Sequence, residues 1–149
     1  MAKPLRIFSW VVALVGCSHP LPSDSTPEGA VKTFVRVSAH AFADSHASRT
    51  TYELLAEPAR ENLALRAKRY AAATGKGVAP ERMLAMTKLE LRFEPETYKA
   101  RIDSDRASVE VRGIRQGETA TVPCVHEKNG WRLDVKLPGL LPMERQERD

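Results

Sequence analysis

At Lys88 the spacing of the apolar residues changes, and that change constrains the fold more than any other feature of the chain. Before it, Ala30, Val31, Phe34, Val35, Ser38, Ala41 and Phe42 recur at the helical interval of roughly 3.6 residues. Thr26-Pro27-Glu28 supplies a cap, a first-turn proline and a charge that suits the helix dipole, so the spacing predicts a helix running to Phe42. Ala43-Asp44-Ser45 ends it, and Ser48 is the expected cap of a short second helix carrying Tyr52, Leu55 and Ala56. Pro58 starts a third helix with Ala59, Leu63, Ala67, Tyr70, Ala71 and Thr74 on one side. Gly75 and Gly77 close it, and Ala79-Pro80-Glu81 opens one more turn.

After Lys88 the period is two. Leu89, Leu91 and Phe93 alternate with charges. Tyr98, Ala100 and Ile102 do the same, Ala107, Val109 and Val111 alternate with Ser108, Glu110 and Arg112, Ala120, Val122 and Cys124 follow at the same spacing, and last come Trp131, Leu133, Val135 and Leu137 against Arg132, Asp134 and Lys136. Glu94-Pro95-Glu96, Asp103-Ser104-Asp105, Gln116-Gly117 and Asn129-Gly130 separate these runs, and Asn-Gly is the strongest short hairpin signal among them. Alternation with one polar face implies antiparallel pairing. The expectation is α+β: three N-terminal helices packed on a curved, mostly antiparallel four- or five-stranded sheet, with Phe34, Leu63, Leu91, Val109, Val111, Trp131 and Leu133 in the core.

The first residues follow a different logic. Lys3 and Arg6 precede a nearly unbroken apolar run from Ile7 to Val15, and small residues follow it. This is the charge-then-apolar layout of a secretory signal peptide, and about 14 Å of helix is too short for a permanent span. Leu14-Val15-Gly16-Cys17 resembles the lipobox of bacterial lipoproteins. The resemblance implies that a lipid donor alkylates the Cys17 thiol, that the Gly16–Cys17 bond is cleaved, and that the freed amine of Cys17 takes a further acyl chain. Two or more chains anchor a protein firmly, where one does so only reversibly. Domain organisation is then a signal peptide at 1–16, a lipidated tether at 17–25, an α+β domain at 26–137 and a loose tail at 138–149. Ser18 is not the aspartate that retains lipoproteins at the inner membrane of enteric bacteria, so the periplasmic face of the outer membrane is the expected location.

Cleavage alters the charge balance. Residues 1–16 carry Lys3 and Arg6 and no acid, so the formal charge falls from +4 to +2. A mixed, nearly neutral chain does not suit nucleic acid, which wants clustered and unopposed cations. Cys124 is left as the one free thiol, so no disulfide can form within the mature chain.

Thr26-Pro27-Glu28 with Ala30, Val31 and Phe34 at the start, and Asn129-Gly130-Trp131-Arg132-Leu133 at the end, resemble the nuclear transport factor 2-like superfamily. More narrowly they resemble small bacterial lipoproteins of unknown function with that cone-shaped fold. The resemblance implies a cone closed by the sheet. Members resembling ketosteroid isomerase place a carboxyl or histidine base inside it, while many others are not catalytic.

Candidate chemistries are weak by comparison. His40 and His46 could meet near Asp44, but no ligand pair at i,i+4 and no Cys-x-x-Cys supports a metal, and His19 belongs to the tether. Cys124 and His126 could share a strand face, but with Cα atoms about 7 Å apart a direct hydrogen bond would need unusual rotamers, so a packing role is expected for Cys124. Glu94/Glu96 and Asp103/Asp105 fall in solvated turns, and only Tyr98 and His126 are expected on the inner face. Arg60, Arg66, Lys68 and Arg69, with Glu57 and Glu61 beside them, read as the solvated face of a helix. The functional reading is a membrane-anchored envelope lipoprotein without catalysis or cofactor. Its domain binds a small apolar ligand or an envelope protein, with Tyr52, Tyr70, Tyr98 and Trp131 as pocket candidates. The alternatives are an assembly accessory with a filled interior and an acid–base enzyme resembling ketosteroid isomerase.

Overall fold

The computed structural model describes residues 23–86 and 91–140. Helices α1 (Pro27–Ser38), α2 (Ser45–Glu53) and α3 (Glu57–Thr74) precede a short 3-10 helix (Pro80–Met86). Strands β1 (Pro95–Asp103), β2 (Arg106–Gly113), β3 (Thr119–Glu127) and β4 (Gly130–Leu133) follow. They form one antiparallel sheet in the order β1-β2-β3-β4. The signal segment, Cys17, His19, Leu89 and residues 141–149 lie outside the described residues.

Local chemistry explains most helix ends. The Thr26 hydroxyl accepts the Gly29 N–H at 3.1 Å, Pro27 occupies the first turn, and Arg36 sits in the last. The helix stops at Ser38, a turn earlier than its apolar spacing predicts, and Phe42 stands 62% exposed in the loop beyond. Helix α2 is capped by Asp44, not Ser48: its carboxylate accepts the His46 N–H at 2.8 Å, and Ser48 is buried with its hydroxyl donating to the Glu81 carbonyl. Helix α3 has no capping side chain of its own. Its Glu57 N–H instead donates to Glu127 at the end of β3 (2.7 Å), and the same carboxylate holds Arg60 at 2.8 Å. A tertiary contact thus does what a local cap would do. At the other end Gly75 adopts the left-handed conformation (φ 71°) and returns its N–H to the Ala71 carbonyl.

The sheet obeys the predicted alternation. Cα register places Tyr98 opposite Val111, Ala100 opposite Val109, Val109 opposite Val122, and Cys124 opposite Ala107 and Leu133, so these residues share one face. Ala30, Val31, Phe34, Leu55, Leu63, Val109, Val111, Trp131 and Leu133 are buried together between helices and sheet. Leu91, expected in the core, is half-buried at its margin.

The expected cone is not there. The sheet is open, neither curved nor closed, which corrects both the resemblance to the nuclear transport factor 2-like superfamily and the cone-shaped fold it implied. The physical reason lies in the missing width. Residues 91–94 lie outside any strand although they alternate, and Leu91 and Phe93 pack on the core by side chain alone. Strand β4 stops at Leu133, short of the predicted Leu137. A narrow sheet with one short edge strand has too little ladder to wrap.

That edge is covered by other parts of the chain. Leu133 donates its N–H to the Leu54 carbonyl and accepts from Ala56, making a parallel bridge between Leu55 and Leu133. Further along, Trp131 N–H donates to the Asp24 carbonyl at 2.8 Å, and the Asp24 carboxylate takes Nη1 of Arg132 at 2.6 Å. Arg132 is 8% exposed, and its Nε has no partner among the described residues. Gly130, at φ 126°, is the one residue type that admits Asp24, since a Cβ there would stand 2.7 Å from its carbonyl oxygen. Asp24, which the sequence placed at the end of a tether, is thus bound to β4. Asp24→Ala is expected to cost about 1.5–3 kcal/mol in urea unfolding by leaving the guanidinium without its carboxylate. Adding Arg132→Met should recover most of that loss, and a double variant no better than Asp24→Ala would disprove the pairing argument.

Candidate functional site

One apolar cleft of about 620 Å³ opens between α1 and the β3–β4 end of the sheet. Val31, Phe34 and Val35 supply one wall from successive turns of α1. Val122 and Leu133 supply the other, and Leu91 and Val135 stand at the mouth. Val135 belongs there because Asp134 N–H donates to the Pro123 carbonyl at 2.8 Å, carrying the chain on along β3 after β4 ends. Arg106, Asp134 and Lys136 form the polar rim, with Arg106 and Asp134 paired loosely at 3.9 Å. The cleft can take an apolar body and hold a polar end at its rim.

The four aromatic candidates are not gathered in this cleft, and none of them lines it. Trp131, on β4, is 7% exposed and meets the His126 ring edge-on at 5.1 Å. Tyr98 lies on β1, at the opposite edge of the sheet, where burial pushes its hydroxyl above the usual pKa. Tyr52, on α2, donates to the Arg60 carbonyl at 3.4 Å. Burial raises its pKa, the Arg60 charge opposes that shift, and Glu81 adds to it. Tyr70, near the end of α3, is 44% exposed. The period that placed Tyr98 and Trp131 on one sheet face carried no information about the two strands between them. The inner residues of the cleft, Val31, Phe34 and Leu133, are core as their spacing predicts, whereas the spacing does not show that Val35, Val122 and Val135 beside them stay partly open.

His40, His46 and His126 are exposed, and the described residues hold no group of three metal-ligand side chains. The turn carboxylates Glu94, Glu96, Asp103 and Asp105 are exposed as well. Arg60 and Arg66 are engaged: the first holds Glu127, the second the Pro138 carbonyl at 2.7 Å, which fixes the start of the segment expected to be a loose tail.

Cys124 is 2% exposed. Burial pushes its thiol up to about 12, with the nearby charges of Asp134 and Glu28 adding to the shift. The thiolate is therefore scarce near neutrality. Cys124 is expected to react with a thiol reagent only as fast as the domain opens, and rapid labelling of the native chain would overturn that. The linkage has a definite sign. A thiol harder to ionise when folded contributes its full stability below the unfolded value near 9 and loses it as pH rises towards about 12. The melting temperature should accordingly fall more steeply above pH 9 in the native chain than in Cys124→Ala.

Comparison with protein-family models, with curated proteins and with solved structures finds no match to this chain.

Proposed function

We propose that this protein is a lipid-anchored component of a bacterial envelope whose domain holds a small apolar ligand without transforming it. The observation that carries the binding half is the cleft beside α1, whose volume of about 620 Å³ falls within the range of small-molecule sites. The anchoring half rests on Leu14-Val15-Gly16-Cys17 behind its apolar run. Half-buried Val35, Leu91, Val122 and Val135 offer apolar contact in place of reactive groups, over a floor of buried Val31, Phe34 and Leu133, and Asp134 at the rim is paired loosely with Arg106. A ligand held this way is selected by shape and by one polar end.

Mass spectrometry of the natively purified chain, with an apolar fluorescent probe as competitor, tests the reading. A co-purified apolar molecule, or probe binding weakened at least about tenfold by Val122→Trp with folding retained, supports it. A chain that carries nothing and binds no probe would overturn the ligand and turn attention to an envelope-protein partner.

A further inference from the structure

The cleft beside α1 is apolar inside and unevenly charged at its rim, where Arg106 and Lys136 stand against one acid, Asp134. Arg106 and Asp134 approach to 3.9 Å, beyond hydrogen-bond reach, so the N–H donors of the guanidinium are left for another acceptor. The Arg106 side chain is 73% exposed and that of Asp134 31%, so the cation is the more open of the two to an incoming group. Lys136 is exposed and makes no ion pair among the described residues. Glu28, the acid of α1, is engaged with β1, where it accepts the Ala100 N–H at 2.9 Å.

The sheet supplies a further donor. Strand β4 pairs only with residues 124–127 of β3, and one more bond, from Asp134 N–H to the Pro123 carbonyl, prolongs the ladder. Thr121 and Lys136 come next in register, and no backbone bond joins them among the described residues. Residues two apart in a strand turn their backbone groups the same way, so the Thr121 N–H faces the side that the Pro123 carbonyl faces. The chain parts from β3 at this point, and Thr121, Val135 and Lys136 all line the cleft that opens there. A backbone N–H, an ammonium and a guanidinium at the rim of an apolar cleft complement a negative charge on the end of an apolar body.

We infer that the molecule held in the cleft is an anionic amphiphile, an alkyl chain that ends in a carboxylate or a phosphate. The chain lies over Val31, Phe34 and Leu133, between the half-buried Val35, Val122 and Val135. Its charged end is met at the rim by Arg106, Lys136 and the Thr121 N–H. Asp134 opposes that end, so the site prefers the anion by the surplus of cations over one acid. This rests on the reading of the cleft as a ligand site and names the polar end of the ligand; it does not depend on the lipid anchor.

The test uses the full chain as natively purified, photolabelled with dodecanol that carries a diazirine at its chain end, so that the label itself is uncharged. Unlabelled dodecanoate, dodecyl phosphate and dodecanol then compete, each below the concentration at which it forms micelles. Half-displacement of label from the cleft residues is expected at a concentration at least about tenfold lower for one or both anions than for dodecanol, the scale of one charge-assisted hydrogen bond. The anion that displaces at the lower concentration identifies the head group. Arg106→Gln with Lys136→Gln, both at exposed positions, should bring the anions level with dodecanol. Asp134→Asn, which removes the acid of the rim, should instead widen the gap at least about twofold. Absence of label from the cleft residues defeats the ligand reading and this inference together. Label that the anions and dodecanol displace equally, or an anion preference that survives the paired glutamine changes, defeats the inference alone.

Discussion

Cys17→Ser is expected to move the protein from the membrane fraction to the soluble fraction, or to leave the precursor uncleaved ahead of position 17. Serine keeps the size of the side chain and loses the sulfur nucleophile, so no thioether can form and no acyl chain can follow. The effect should be close to complete because, on the lipid-anchor reading, the acyl chains supply the hold on the membrane. Acyl chains contribute about 0.8 kcal/mol for each buried methylene, whereas a cation near an anionic surface contributes about 1 kcal/mol in total. No helix among the described residues is long and apolar enough to cross a membrane and replace the anchor. The measurement is fractionation with mass determination of the mature chain. Normal processing and normal sedimentation of the serine variant would refute the lipid anchor.

Leu133→Ala is expected to destabilise the domain by about 2–5 kcal/mol, a large part of the 5–15 kcal/mol typical of small domains. Leu133 is 2% exposed and stands where three things meet: the Leu54–Ala56 segment that covers the β4 edge, Cys124 across the ladder, and the wall of the cleft. Removing its side chain opens a cavity that backbone pairing on both sides keeps from collapsing. Leu133→Met, nearly equal in volume, should cost less than about 1.5 kcal/mol. Urea unfolding of both variants checks this. Similar midpoints for Ala and Met would show that the site relaxes freely and that the junction is softer than its hydrogen bonds suggest.

The contrast between these residues shows what can be read along a chain. Leu133 was legible as core because its neighbours Trp131 and Val135 repeat at a spacing of two, a pattern set by strand geometry. Leu91 and Phe93 carry the same pattern, yet they lie outside any strand. Alternation states which side chains would share a face if a strand formed, but a strand needs a neighbour to hydrogen-bond, and the pattern does not name one. The same limit applies to the aromatic candidates, which share faces in sequence and sit apart in space.

Sequence alone determined the class of the fold, the order of helices before strands, the hairpin turns and the buried face of the sheet, because each follows from periods and turn residues within a few positions. It also holds Leu14-Val15-Gly16-Cys17, a contiguous run that resembles a lipobox. Only tertiary structure decided that the sheet stays open, that Glu127 caps α3 across 70 residues of chain, and that Asp24 closes on Arg132 across 108. Those pairings join residues that are ordinary surface charges by every local measure. What makes them specific is the position of β4, whose short ladder leaves an edge that the remote ends of the domain come together to cover.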